Sequence, residues 1–326
     1  MHTSQVPRKR RTSMVIAAVG LGLVLACGPL ISSAQLAHAA SESSSGGGDA
    51  TDTGRDFSDA DDAASANYWT PERMAAASSL DETPTPPPDA STPVDASAAT
   101  GVFEPVKWIG RLYFTRDGQD KGCTASSIKS DSKLVIATAA HCLYRDGHFA
   151  RNLRFIPAWD GANKPLLTWG AAMYQVPREW RYQQDLQHDA AFIQLKPLHS
   201  WEGEKKYLAD EAGATATNFG LARAGLHYEV FGYELISGYV SHPLLTCSGV
   251  GSRLNPEASY LGIGNCAMVN GSSGGPVYHE SGRGVNGTQV GVVSSVVRKG
   301  NQPSTYFAPW GDVEYQVFRA VDSWRG

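Results

Sequence analysis

Twelve short apolar runs, each bounded by turn-forming residues, organise the chain from residue 101 onward. In the first half they cover 106–115, 123–128, 134–138, 153–158, 166–176 and 190–195. In the second they cover 228–233, 245–250, 260–263, 276–278, 289–295 and 306–309. Runs of this length with turn signals between them read as strands rather than helices. Six and six, parted by a polar, irregular stretch near 198–217, suit two antiparallel barrels. The expected fold class is therefore all-β: two six-stranded antiparallel β-barrels over about 101–200 and 215–311. One segment breaks the pattern. Asp312 can cap a helix, and Val313, Val317, Ala320, Val321 and Trp324 follow at helical spacing. That predicts a packing helix over 312–325.

The first hundred residues are a different material. Arg8, Lys9, Arg10 and Arg11 precede an apolar run over 14–30, and Ala37-His38-Ala39 supplies a small-x-small site. Basic head, apolar middle and small-residue cleavage site predict a secretory signal over 1–39. The run holds three glycines and a proline and is too short for a comfortable membrane span, so no stable membrane anchor is expected. A surface lipoprotein attached through Cys27 is the minor alternative. Residues 40–100 carry twelve Asp/Glu against two Lys/Arg, a Ser/Gly run over 41–48 and five prolines over 83–93. Such composition buries too little apolar surface to offset ordering entropy, and predicts a mostly disordered propeptide or linker. One island differs: Thr70 can cap a helix begun by Pro71, with Trp69 and Met74 on its apolar face.

The net charge is −4. No basic run lies outside the first dozen residues, which argues against a nucleic-acid partner. Beyond the leader four cysteines remain: Cys123, Cys142, Cys247 and Cys266. An even number in a secreted chain favours disulfides. Four cysteines allow three pairings, of which Cys123–Cys142 with Cys247–Cys266 is the simplest. Neither Cys-x-x-Cys nor His-Glu-x-x-His occurs, so no metal or other cofactor is expected.

Chemistry concentrates in the stretch 265–277, where Ser272 and Ser273 lie between Gly271 and Gly274-Gly275-Pro276. Glycines allow crowded or left-handed backbone, so a serine there can project its hydroxyl while nearby N–H groups face the same space. Alone, such a cluster reads as a loop. Two other positions change its meaning. His141, in Thr138-Ala139-Ala140-His141-Cys142, follows an apolar strand and can act as a general base. Asp189 opens the apolar strand Ala190-Ala191-Phe192-Ile193 and can orient an imidazole. His141 and Asp189 belong to the first β-half and Ser273 to the second, as expected of an active site in the cleft between the barrels.

These motifs resemble those of trypsin-like (chymotrypsin-fold) serine proteases of the secreted bacterial kind, which includes the V8-like glutamyl endopeptidases. The histidine motif is Thr138-Ala139-Ala140-His141-Cys142, the aspartate motif Asp189-Ala190-Ala191-Phe192, and the serine motif Gly271-Ser272-Ser273-Gly274-Gly275-Pro276. Val293-Ser294-Ser295 matches the substrate-binding strand, and the resemblance spans about 102–320. It implies an endopeptidase acting on protein or peptide substrates, extracellular and monomeric, with a Cys123–Cys142 bridge beside the histidine. Ser273 would be the nucleophile, His141 the base and Asp189 its orienter. The Gly271 and Ser273 N–H groups would form the oxyanion hole, and Ser294 would support the site or meet extended substrate.

The pattern is also broken in places. Animal members place an aspartate directly before the nucleophile to pair with a new N-terminus after zymogen cleavage; here that residue is Ser272. Ala267, six residues before Ser273, stands where trypsin-like specificity calls for Asp. No histidine occurs over 292–297 to suggest glutamate preference. The alternative from another class is a non-catalytic binding module on this scaffold. An α/β-hydrolase is disfavoured, because it needs the order Ser, acid, His, and His279 is the only histidine after Ser273.

Overall fold

The computed structural model of the chain describes residues 53–79, 101–161, 164–236, 243–253, 261–279, 285–299 and 302–326. The expected leader over 1–39, with Cys27, and the Ser/Gly and Pro-rich stretches lie outside the described residues. Each of the twelve apolar runs becomes a strand. Two more strands, β1 (Gly54–Asp56) and β2 (Gly101–Phe103), precede them. The first barrel comprises β3 (Ile109–Arg116), β4 (Gln119–Ser127), β5 (Val135–Thr138), β6 (Arg151–Pro157), β7 (Trp169–Gln175) and β8 (Ala191–Leu195). The second comprises β9 (His227–Tyr233), β10 (Leu244–Ser252), β11 (Leu261–Gly264), β12 (Pro276–His279), β13 (Thr288–Lys299) and β14 (Gln302–Pro309).

Strand order in the first sheet is β7-β8-β5-β4-β3-β6, closed by antiparallel pairing of β6 with β7. In the second it is β9-β12-β13-β14-β11-β10, closed by β9 with β10. Both are six-stranded antiparallel barrels, which leaves no open edge among the barrel strands. The hairpin joining β3 to β4 turns on Asp117-Gly118, both with positive φ (53° and 71°), the residue pair a tight hairpin turn favours. Alternation along β3 sends Leu112 and Phe114 into the first core, while Ile109 and Tyr113 face a second cluster shared with Phe231 and Tyr233 of the other barrel. Tyr228, Val230, Val277, Val290 and Phe307 fill the second barrel.

Within the stretch 40–100, residues 53–79 are folded against the first barrel. The strand β1 adds to β7 (Arg55 opposite Tyr174), and helices α1 (Asp59–Tyr68) and α2 (Pro71–Ala76) follow it across the first barrel. Polar groups do much of the holding. Ser58 and Asp61 form a capping box, and Asp59, Asp61 and Asp62 sit at the positive end of the α1 dipole. Asp62 pairs with buried Arg154 at 2.9 Å. The Trp69 indole N–H donates to the Asn152 carbonyl at 2.5 Å, and Tyr68 and Arg73 both bond Asp120. The island behaves as its pattern predicts: Thr70 caps α2, Pro71 begins it, and Trp69 and Met74 are buried. Beyond it, Ser78 bonds the edge of β4 through Asp120 and Gly122.

The C-terminal helix runs Asp312–Ser323, with Gly311 rather than Asp312 at its cap. Of the expected stripe, Val317, Val321 and Trp324 pack against the core, and Phe318 joins that face. Phe318 and Val321 are buried with Glu314 and Asp322, while Ala320 is exposed. Phe318 packs against Phe192 and Phe219, which fixes the face presented. Burial of the two acids on that face is compensated by hydrogen bonds: Asp322 accepts from the N–H groups of Asp131 and Ser132, Glu314 from His188 and Gly311.

Candidate active site

His141 stands on the single-turn helix Ala140–Leu143 directly after β5. Thr138, Ala139 and Ala140 are fully buried, so the small side chains let this turn sit close against β4. Cys142 is bridged to Cys123, and Cys247 to Cys266; both expected pairings are present. Cys123, His141 and Cys142 bring potential ligand atoms within 4.8 Å of one another, but bridged sulfurs offer no thiolate to a metal.

Asp189 follows a 3₁₀ turn over Leu186–His188 and precedes β8. Ala191 pairs with Thr138 across β8 and β5, so extending the antiparallel register by two residues brings Asp189 beside Ala140 and His141. The carboxylate is fully buried. It accepts three hydrogen bonds: the His141 main-chain N–H at 2.8 Å, His141 Nδ1 at 2.7 Å and the Ser294 hydroxyl at 2.6 Å. Bonds to an ionised acceptor are the strong kind. With Nδ1 committed to Asp189, Nε2 is the ring nitrogen left for substrate chemistry. Trp180 flanks the imidazole, with ring centroids 6.3 Å apart.

Ser273 lies on the loop between β11 and β12. That loop is fastened to both barrels: the Ser273 carbonyl accepts from Thr124 N–H at 2.9 Å, and Gly274 N–H donates to the Val293 carbonyl at 2.7 Å. Gly274 has φ +81°, and a Cβ there would lie 2.1 Å from Thr138 Oγ1 and 2.4 Å from the Thr124 carbonyl. Only glycine lets the residue after Ser273 press against the strand that leads to His141. Gly271 also has a left-handed φ, +93°. Neither the Gly271 nor the Ser273 amide donates to an acceptor among the described residues, so both remain available to an oxyanion. Ser272 faces the other way: its hydroxyl and its N–H both bond the Val269 carbonyl, and its side chain is 1% exposed.

Ser294, on β13, reaches Asp189 rather than open cleft and so ties the acid of one barrel to a strand of the other. Ala267 lies half-buried between Cys266 and Met268, whose backbone groups are both bonded by Thr305 of β14. Sequence reasoning passed over two supporting residues. Thr124 donates its hydroxyl to the Gly271 carbonyl and receives Tyr233 N–H, both at 2.9 Å. Arg116, buried on β3, donates to the His141 carbonyl. Each is one polar residue inside a strand pattern, with no local signal of its partner.

Two closed six-stranded barrels, with the histidine and the acid on one and the serine on the other, define a serine endopeptidase of the chymotrypsin fold. The chain belongs to the trypsin family: the family model "Trypsin" matches residues 97–311. Among solved structures it is similar to the protease Anisep from Arthrobacter nicotinovorans, at 31% identity over 69% of this chain and 100% of that one, TM-score 0.62. It is also similar to the thermostable serine protease AL20 from an extremophilic microorganism, at 27% identity over 72% and 100%, TM-score 0.59. A Glu endopeptidase, 15% identical over 69% of this chain and 97% of that one at TM-score 0.53, shares the fold. No curated protein matches the chain. The strand and helices over 53–79 and the C-terminal helix lie outside the matched range.

Proposed function

We propose that this endopeptidase is secreted and cleaves peptide bonds through an acyl-enzyme on Ser273. His141 Nε2 takes the proton from Ser273 Oγ as that oxygen adds to the scissile carbonyl. The carbonyl oxygen gains charge and is met by the N–H groups of Gly271 and Ser273. His141 returns the proton to the leaving amine. Water then repeats the sequence, with His141 again as base, to free the acid. Asp189 holds the imidazole in the tautomer that leaves Nε2 unprotonated and favours the imidazolium that forms. The observation that carries this reading is the double hold of Asp189 on His141, backbone and ring, beside a serine loop bonded to Thr124 next to the Cys123 bridge.

A fluorophosphonate probe tests it. Wild-type protein is expected to label at Ser273 and Ser273→Ala to remain unlabelled; an unlabelled wild type overturns the reading and favours the binding-module alternative. Cleavage of a mixed peptide library, read by mass spectrometry, then defines side-chain preference. Ala267 supplies no acid for an Arg or Lys side chain. The basic and apolar leader together with two disulfides supports an oxidising, extracellular location. Ser272, bonded to Val269 and lacking a carboxylate, supports a loop that does not wait for an N-terminal ammonium. A monomer acting on protein or peptide substrates completes the proposal.

A further inference from the structure

Arg111 is among the largest fully buried side chains of the molecule. It stands on β3 directly opposite Thr124 of β4, so both side chains point the same way, toward the second barrel. Its Nη2 donates to the main-chain carbonyl of Glu234, while Nε and Nη1 have no acceptor among the described residues. Burial lowers its pKa to about 10, so the group stays charged at neutral pH. The guanidinium also lies 5.5 Å from the centre of the Tyr233 ring, a favourable but modest contact. A buried cation with one hydrogen bond is costly, and an apolar residue of similar volume would pack the site at lower cost. The arginine therefore calls for a role that packing does not provide.

That role lies in what Glu234 carries. The strand β9 ends at Tyr233, so no ladder fixes Glu234 and Leu235. Leu235 N–H donates to the Asn270 carbonyl at 2.9 Å. Its side chain, 2% exposed, fills the space left by two missing Cβ atoms. A Cβ on Gly271 would lie 2.6 Å from Leu235 Cβ, and one on Gly122 would lie 2.8 Å from Leu235 Cδ2. On the other side Thr124 holds the Gly271 carbonyl at 2.9 Å. Gly271, whose N–H would meet the oxyanion, is thus gripped between Thr124 on its own carbonyl and Leu235 on the Asn270 carbonyl, and Arg111 is the side chain that fastens the Glu234–Leu235 backbone.

We infer that Arg111 is a positioning residue for the oxyanion loop, setting the Gly271 N–H through Glu234 and Leu235. This rests on the catalytic reading above. An oxyanion exists only in the transition state, so misplacing its donor lowers kcat and leaves KM nearly unchanged. Donor displacements well under 1 Å already matter at such sites.

The test is peptide hydrolysis and fluorophosphonate labelling of wild type, Arg111→Met and Arg111→Lys, each assayed well below its own Tm. Arg111→Met is expected to lower kcat by about 10- to 100-fold with KM within about threefold, and to slow labelling in proportion. Arg111→Lys, which keeps charge and one donor, is expected to regain most of the loss. If Arg111→Met does not fold, Leu235→Ala reads the same brace and is expected to show the same split. A lower Tm with kcat unchanged in whichever variant folds, or a rise in KM alone, overturns the inference and leaves the catalytic reading standing. A wild type that neither labels nor hydrolyses overturns the catalytic reading itself, and the inference with it.

Discussion

Asp189 grips His141 at two points, the main-chain N–H at 2.8 Å and ring Nδ1 at 2.7 Å. The two bonds fix both the position of the residue and the rotation of its ring. Replacing the carboxylate by an amide keeps the shape but reverses one donor–acceptor relation. We expect Asp189→Asn to fold with near-native Tm and to lose about 10⁴-fold in kcat, the size of effect this exchange has in a Ser-His-Asp triad. Steady-state kinetics with a thermal melt checks it.

Ser294 gives Asp189 its third hydrogen bond, at 2.6 Å. A bond to a charged acceptor is worth roughly 1.5–3 kcal/mol, and His141 still fills the other positions on the carboxylate. Ser294→Ala is expected to lower kcat roughly tenfold, far less than Asp189→Asn. A drop in substrate affinity with kcat unchanged would instead place Ser294 in substrate binding.

Ser272 is sealed in: its side chain is 1% exposed, and a Cβ on Gly232 would lie only 2.4 Å from Ser272 Cβ. Ser272→Asp puts an unpaired charge into that space. A cost of about 3–5 kcal/mol is expected, with loss of activity, whereas Ser272→Ala keeps most of both. Denaturant unfolding of the two variants decides the matter.

The His188–Glu314 contact, 2.7 Å, joins the turn before Asp189 to the C-terminal helix. The hydrogen bond that His188 donates to Glu314 raises the His188 pKa above its ordinary 6.5, against an opposing effect of burial. A group with a raised folded pKa binds its proton more tightly when folded. Its stabilisation is full below the unfolded value and disappears as pH rises through the folded one. The Tm difference between wild type and His188→Gln is therefore expected to be larger near pH 5.5 than near pH 9, about one unit below the unfolded value and well above it. A difference that does not change with pH would show that the pair acts through packing alone.

Cys123–Cys142 closes a loop between the strand that binds Ser273 and the turn that bears His141. Opening it with the double Ser variant is expected to cost about 3 kcal/mol in the chain-entropy model. Activity is expected to fall further than stability accounts for, because the segments that hold Ser273 and His141 both border the bridge. Residual activity measured at matched folded fraction checks this.

How much of this was legible without coordinates differs between parts of the chain. The barrel strands were, because each is a short apolar run between turns, and burial on a pleated surface needs little else. The placement of His141 beside Asp189, and of Ser273 on a glycine-bounded loop, was too, because each sits in a local motif. Apart from α2, announced by Thr70 and Pro71, the fold of residues 53–79 was not. Asp62 and Arg154 are 92 residues apart, and an acidic stretch betrays nothing of a distant arginine. Arg111 and Thr124 escaped for the same reason: each is one polar position in a strand, defined by what another barrel places over it. Phe318 escaped because an alternative stripe, with Ala320 in it, has the same period.

The N-terminal stretch contributes β1 to the first barrel and β2 to the second, on either side of residues 80–100. A protease that nicks the chain between residue 79 and β2 severs one covalent link and leaves β1, α1, α2 and β2 intact. The product would be two polypeptides that remain one particle, separable on a denaturing gel but not on a native column. Maturation judged by gel alone would then record a lost segment where the working enzyme still wears it.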